Sequence, residues 1–335
     1  MVLATGGTGL VGAHILLKLS QKNQKIIALF RHEATLASVQ SFFESHAADG
    51  VNAFEQIQWV CADVNDASTI DALMQGVQEV YHCAAKVSFA RFQREKMMHT
   101  NIQGTANLVN AALKNGVKKF GFVSSIAAIG DEETLSVVNE ENPWNNGISH
   151  TDYAYSKHGA ELEVWRGSQE GLPVIIINPG VILGAHFWNR SSAALFDRVA
   201  KGLAFYPTGS AAVVDVKDVV DVFIRLMASE IQNQRFILVA KNLTQKELLT
   251  KIAISLGKKP PAFPLHKTYL YFLFVLDQIA RLFYIKKPFL DLTFIKTLCS
   301  NQEFDGSKIQ KHIPFDYHDI DDSIQKIGLE YPQKN

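Results

Sequence analysis

Short apolar runs alternate with stretches of helical period along the first half of the chain. Val2–Ala4, Lys25–Phe30, Ile57–Cys61, Glu79–Cys83, Lys119–Val123 and Pro173–Ile177 read as strands. Between them apolar residues recur at helical spacing near 10–20, 34–46, 66–76, 95–115 and 152–169. Strands that alternate with helices imply right-handed crossovers and a parallel sheet. The pattern therefore predicts an α/β fold, a doubly wound parallel sheet with its ligand at the C-terminal strand ends.

After Gly184 the pattern loosens. Residues 185–211 hold Phe187, Trp188, Phe205, Tyr206, Pro207 and Gly209, which suits a substrate loop with a helix inside it, Ala193–Ala200. Val213–Val216 followed by Asp218–Met227 reads as one more strand and helix returning to the sheet. Residues 245–335 are helical and aromatic-rich, with a basic and proline stretch at Lys258–Pro264. The expected division is 1–184 with 212–244 as the sheet domain. Residues 185–211 with 245–335 form a smaller, mostly helical substrate lobe. The run Tyr269–Leu276 ends at Asp277 and is too short to span the ~30 Å hydrocarbon layer. It reads as a core or lid helix, with peripheral membrane contact as the alternative.

Composition narrows the class. A chain of 335 residues can bury a large core, and 47% hydrophobic with 20% charged residues is ordinary for a soluble globular protein. Thirty-three basic residues balance thirty-three acidic ones, so nothing points to nucleic acid or an anionic membrane. Cys61, Cys83 and Cys299 are scattered without metal spacing. A sparse, odd set suggests a reducing compartment, and a cytoplasmic location is expected. Cys61 and Cys83 end apolar runs and read as small core residues. A glycine-rich loop occupies the place of a signal peptide.

That loop carries the first chemistry. Val2-Leu3-Ala4 runs into Thr5-Gly6-Gly7-Thr8-Gly9-Leu10-Val11-Gly12, and an apolar helix begins with Ala13, Ile15, Leu16 and Leu19. A strand that breaks into glycines and restarts as a helix cradles a phosphate on unpaired N–H groups and the helix dipole. The glycines at 6, 9 and 12 have a Gly-x-x-Gly-x-x-Gly spacing, and no Gly-Lys-Ser/Thr follows as in a Walker loop. The second strand ends in Arg31, where an acidic residue would hold a ribose 2′-OH and an arginine complements a 2′-phosphate. NADP is therefore expected, with NAD as the alternative. Asp63, before Val64, is aimed at the adenine amine, and Cys83-Ala84-Ala85 offers a small-residue wall for the cofactor.

Tyr153 and Lys157 lie four apart on a predicted helix and share a face, whereas Tyr155 points away. A phenol has a pKa near 10, and a nearby ammonium and a cationic nicotinamide favour phenolate and lower that value. Such a tyrosine exchanges a proton with a carbonyl or alcohol while hydride moves to or from a nicotinamide. The strand Lys119–Val123 delivers Ser124 and Ser125 to the sheet edge. One hydroxyl would hold the substrate oxygen and the other would cap backbone. Asn101 reads as a water or backbone anchor, or as a plain polar helix residue.

These motifs resemble an extended short-chain dehydrogenase/reductase, with its Rossmann fold, over nearly the whole chain. They include Thr5–Gly12, Asp63-Val64, His82–Ala85, Asn101, Val123-Ser124-Ser125, Tyr153 with Lys157, and Asn178-Pro179-Gly180. The resemblance implies Ser125 as the catalytic serine with Ser124 its structural neighbour, and Tyr153 as acid/base. It implies that Lys157 holds the nicotinamide ribose, and that Pro179, Gly180 and Ile182 line the nicotinamide. Arg31 and the segment Asn178–Gly184 depart from nucleotide-sugar epimerases and dehydratases. Ala84–Ser88 and Tyr153–Glu163 are more similar to the dihydroflavonol reductase and 3β-hydroxysteroid dehydrogenase-like branch. That branch implies a ketone or alcohol on a bulky, apolar substrate, which Phe187, Trp188, Phe205 and Tyr206 suit. Two alternatives stand beside it. One is a nucleotide-sugar enzyme with bound NAD and a basic cluster of Arg190, Arg198 and Lys201. The other is a catalytically silent dinucleotide-sensing protein. A homodimer through helices 95–115 and 152–169 is a further expectation.

Overall fold

The computed structural model describes all residues except 23, 89–90, 131–136, 189–192, 273, 276–291 and 333–335. In chain order the first strands are β1 (Val2–Thr5), β2 (Ile26–Phe30), β3 (Gln58–Cys61), β4 (Glu79–His82), β5 (Lys119–Val123), β6 (Val137–Val138) and β7 (Val174–Pro179). They are followed by β8 (Val181–Leu183), β9 (Phe205–Pro207), β10 (Ser210–Asp215), β11 (Gln234–Leu238), β12 (Lys241–Thr244), β13 (Phe263–Leu265) and β14 (Glu303–Phe304). The helices that position the site are α1 (Leu10–Ser20), α2 (Leu36–His46), α3 (Gly50–Glu55), α4 (Ala67–Leu73), α5 (Arg94–Met98), α6 (Gly104–Lys114), α7 (Asp152–Gln169), α8 (Ala193–Ala200), α9 (Val216–Ala228) and α10 (Gln245–Ser255).

The main sheet has seven strands in the order β11-β7-β5-β4-β1-β2-β3, parallel at every pairing. The order reverses between β1 and β4, and that switch point is where an open parallel sheet parts its crossovers and leaves a crevice. Strand side chains alternate between two cores. Val2, Ala4, Ile175 and Ile177 join one with α1, α2 and α9. Leu3, Val174 and Ile176 join the other with α4, α6 and α7. Burial on both faces is why these strands read as unbroken apolar runs. Each fully buried Val, Leu or Ile contributes roughly 1.5–3 kcal/mol.

The expected strand at 213–216 does not rejoin this sheet. β10 pairs parallel with β8 and antiparallel with β12 in a separate three-stranded sheet. The split occurs at Gly180, where a Cβ would stand 2.4 Å from the Ala212 carbonyl oxygen. The chain leaves the main sheet there because β10 crosses against its backbone. The return is made by α9 and β11, with Gln234–Leu238 registered on Ile175–Pro179.

Several other readings change. The predicted helix 95–115 is α5, a π-helical turn at His99–Gln103, and α6. Helix α3 was not predicted. Cys61 is exposed at the end of the edge strand β3 and is not a core residue, whereas Cys83 is partly buried and packs against the core. Phe187 is buried against Phe42, Trp188 packs on Phe196 and Tyr331, and Phe205 lies on the surface against Phe263. In the stretch 269–276, Leu270 is buried while Tyr269 and Phe272 are exposed, and residues 273 and 276 lie outside the described residues. Among the described residues no helix is long and apolar enough to cross a membrane.

Candidate active site

β1 ends in the glycine turn, and α1 starts from Gly9 in extended backbone with no side-chain cap. The first N–H groups of α1 are therefore not closed off by a side chain and face the crevice. Gly6 has φ +71°, and a Cβ there would meet the backbone of Cys83 and Ala84 at 2.6 Å. A Cβ on Gly12 would stand 2.2 Å from the Gly6 carbonyl oxygen. At Gly9 the nearest contact is 3.4 Å, so a side chain there would fill the cradle rather than break it. A bare turn against an uncapped helix fits a dinucleotide pyrophosphate.

The turn is fixed from beneath by His82, which the motif His82–Ala85 contains but to which the sequence assigns no role. His82 is 1% exposed; its Nδ1 lies 2.7 Å from Thr5 Oγ1 and its Nε2 2.9 Å from Thr105 Oγ1. Thr105 donates its own proton to the Asn101 carbonyl at 2.6 Å. Its oxygen must therefore accept from Nε2–H, which leaves Nδ1 bare to accept from Thr5. Thr5 in turn accepts from the Ala84 N–H at 3.2 Å. Burial, with Lys157 adding repulsion, pushes His82 down to about 3, in keeping with a neutral ring.

A cavity of about 1910 Å³ runs along the C-terminal strand ends. Its wall includes Gly6, Thr8, Gly9, Leu10, Val11, Gly12, Arg31, Val64, Cys83, Ala84 and Ala85. It continues over Ser124, Ser125, Tyr153, Pro179, Gly180 and Ile182. Arg31 is exposed at the end of β2, with His32 and Thr35 beside it in the wall. Lys86 stands near enough that Arg31 and Lys96 add to burial in lowering its ammonium.

Three expected residues are not among those lining the cavity. Asp63 turns Oδ1 back to the N–H (3.0 Å) and side-chain amide (2.8 Å) of Asn65, closing an Asx turn instead of reaching outward. Asn101 lies in the π turn and is 2% exposed. Its Oδ1 accepts from Lys86 N–H at 2.7 Å, while Nδ2 donates to the Lys86 carbonyl at 3.0 Å and to Ser156 Oγ at 2.9 Å. It anchors the backbone behind the wall. Lys157 is 1% exposed, donates to the Val123 carbonyl at 2.8 Å, and stands 4.3 Å from the Phe122 ring centroid.

Tyr153 and Ser125 face each other. Thr151 caps α7 by accepting from Ala154 N–H at 3.1 Å, which sets Tyr153 in the first turn. The Tyr153 and Ser125 hydroxyls are hydrogen-bonded, and Ser125 Oγ also accepts from Ala127 N–H at 3.2 Å. Ser125 therefore both caps its turn and meets the tyrosine. Ser124 donates instead to Glu161 Oε2 at 2.7 Å. The Tyr153 phenol is pushed up by burial, with the Ser125 hydrogen bond pulling the other way. Lys157 is not among the groups that move it here. Lys157 meets Val123 and Phe122 beneath the wall, and burial of the phenol dominates. Tyr155 packs edge-on against Trp144 and His150, away from Lys157.

The far end of the cavity differs from expectation. Phe187, Trp188, Phe205 and Tyr206 are not among the lining residues. Arg198, Ser210, Gln245, Lys267, Lys296, Asn301 and Gln302 are. No Asp or Glu occurs among the described lining residues. Of the basic cluster weighed for a diphosphate, Arg198 is in the wall, Lys201 pairs with Asp197 on α8, and residue 190 lies outside the described residues.

A model of the NAD dependent epimerase/dehydratase family matches residues 2–240. The sterol demethylase protein B of Methylococcus capsulatus (strain ATCC 33009 / NCIMB 11132 / Bath) is 26% identical over 318 residues, covering 93% of this chain and 92% of that one. The dihydroflavonol 4-reductase of Arabidopsis thaliana is 26% identical over 193 residues, 55% of this chain and 49% of that one. The crystal structure of gox2253 superposes with a TM-score of 0.81 over 99% of this chain and 97% of that one, at 24% identity.

Proposed function

Because the chain belongs to the NAD dependent epimerase/dehydratase family, we propose that it is an NADP(H)-dependent oxidoreductase interconverting a ketone and a secondary alcohol. One observation carries the reading. A single cavity joins the uncapped N-terminus of α1 and Arg31 to the Ser125–Tyr153 hydroxyl pair. A nicotinamide cofactor supplies the hydride when bound.

The chain's own groups do the rest. The α1 N–H groups and glycine turn hold the pyrophosphate. Arg31, with His32 and Thr35 beside it, takes the 2′-phosphate as a charge-assisted pair. Ser125 donates to the substrate oxygen, and Tyr153 delivers or removes its proton. In the reductive direction the protonated phenol is the acid. Lys157 supports the nicotinamide ribose from beneath the Val123 end of β5. Arg198, Lys267 and Lys296 in the far wall support a substrate that carries polar or anionic groups beside an apolar part, which Ala211, Ala212, Leu298 and Phe304 suit.

Melting temperatures with NADPH and NADH test the cofactor, since binding stabilises by RT ln(1 + [L]/Kd). A carbonyl panel then tests turnover. A larger shift with NADH and no ketone reduction would overturn the reading.

A further inference from the structure

Glu161 is a buried acid that the chemistry above does not use. It is 2% exposed, one helical turn beyond Lys157 and two beyond Tyr153 on α7. Both of its oxygens are held. Oε2 accepts from Ser124 Oγ at 2.7 Å and Asn178 Nδ2 at 2.8 Å. Oε1 accepts from Arg235 Nη1 at 3.2 Å and Trp165 Nε1 at 3.4 Å. The same Asn178 amide also donates to the Ser125 carbonyl at 3.0 Å. One carboxylate thus ties α7 to the ends of β5 and β7 and to β11. Its Arg235 partner reaches on to the Glu140 and Asn142 carbonyls, on the approach to the cavity loop 147–151. A buried ion pair is weak evidence for stability, because desolvation of both charges offsets their attraction. Its position beside Ser124, Ser125 and Lys157 asks for another role.

We propose that Glu161 is a positioning residue for the reaction: through Asn178 and Ser124 it fixes the Ser125 turn against Tyr153, and its carboxylate, paired with Arg235, lies one helical turn from Lys157. This rests on the oxidoreductase reading above. Lys157 faces Glu161 on its own helix, His82 at the end of β4 with Cys83 just after it, and the Val123 carbonyl and Phe122 ring from β5. Glu161 faces Lys157 and His158 on α7 and Arg235 from β11. Burial lowers the Lys157 ammonium to about 8, and Glu161 is the first group that opposes the fall, ahead of Cys83. Without that charge the ammonium loses its proton at lower pH.

The test compares wild type, Glu161→Gln, Glu161→Asp and Asn178→Ala by pH profiles of kcat/KM for the best ketone of a panel, with NADPH affinity at each pH. Wild type is expected to lose activity on an alkaline limb near the Lys157 ionisation. Glu161→Gln keeps the shape but not the charge. It should move that limb down by about one pH unit, a tenfold change in the ionisation constant. Glu161→Asp keeps the charge and shortens the reach, so it should lower kcat and leave the limb in place. An unmoved limb in Glu161→Gln, or identical profiles for the Gln and Asp variants at equal melting temperature, would overturn the proposal. Should Glu161→Gln not fold, Asn178→Ala decides: kcat falls with the limb unmoved, and an unchanged kcat sinks the positioning role. Failure of the oxidoreductase reading is recognised separately, by a wild type that binds NADPH and turns over no carbonyl; the limb is then read on NADPH affinity.

Discussion

The hydroxyl of Thr5 donates to Nδ1 of His82 across 2.7 Å, inside a chain of hydrogen bonds that runs one way from Ala84 N–H to the Asn101 carbonyl. The chain joins the last residue of β1 to β4 and to the first turn of α6. It holds the strand end from which the glycine turn departs. A protonated ring would offer a donor at Nδ1 where an acceptor is needed.

This gives the protein a stability that acid removes. His82 is held down to about 3 in the fold, by burial first, and an unfolded histidine titrates near 6.5. Above pH 6.5 both states are neutral and the ring adds no pH dependence. Between 6.5 and about 3 only the unfolded state takes the proton, so stability falls with pH. From pH 7 to pH 5 this one group costs about 2 kcal/mol. His14, lowered by burial to about 4, adds a similar loss. Urea unfolding of His82→Gln at the two pH values should show about 2 kcal/mol less acid loss than wild type. Equal losses would refute the assignment.

Tyr153→Phe removes only the hydroxyl that faces Ser125. A general acid contributes roughly 10²–10⁴-fold. The variant should lose that much in kcat/KM while NADPH affinity stays within about twofold, because the phosphate cradle and Arg31 are untouched. Stopped-flow NADPH oxidation with fluorescence titration separates the two. Retained turnover would remove Tyr153 from the proton step.

How much of this was legible in the sequence depends on the distance along the chain. The cradle from Thr5 to Gly12 is contiguous, and Tyr153 with Lys157 is set by helical period, so both are visible without a fold. The Ser124-Ser125 pair is visible because it follows a buried strand, and the family resemblance alone singles out Ser125. The Thr5–His82 bond spans 77 residues and the Glu161–Arg235 pair 74. No local pattern relates such partners, and an isolated histidine or glutamate reads as any polar residue. The run 213–216 reads as a strand of the main sheet but joins a separate one, because an apolar run states burial and not which sheet it joins. Phe187, Trp188, Phe205 and Tyr206 read as a substrate wall, yet none lines the cavity, because hydrophobicity does not say which side of a wall a ring faces.

Arg31 is exposed at the cavity edge, so its contribution is best measured as a difference between cofactors. A hydrogen bond between charged groups is worth about 1.5–3 kcal/mol, roughly 10–100-fold in affinity. Arg31→Ala should weaken NADPH by that factor and leave NADH nearly unchanged. Added salt should narrow the gap in wild type, since an exposed pair is screened. Equal weakening of both cofactors would mean that Arg31 acts on the ribose or the adenine instead of a 2′-phosphate.

The glycines of the turn separate folding from binding. A Cβ on Gly12 would stand 2.2 Å from the Gly6 carbonyl oxygen, a backbone atom that cannot yield without opening the turn. Gly12→Ala should therefore lower the melting temperature and abolish cofactor binding together. A Cβ on Gly9 meets the protein only at 3.4 Å, and Gly9 caps α1 in extended backbone that alanine adopts. Its methyl group would project where the pyrophosphate approaches the helix. Gly9→Ala should melt within about 2 °C of wild type, given that 1 kcal/mol shifts a domain of this size by no more than a few degrees. It should nevertheless bind NADPH at least about tenfold more weakly, the cost of displacing the phosphate from its N–H donors. Calorimetric melting with NADPH titration of both variants checks the pair. If Gly9→Ala binds as wild type does, the pyrophosphate does not lie over the start of α1.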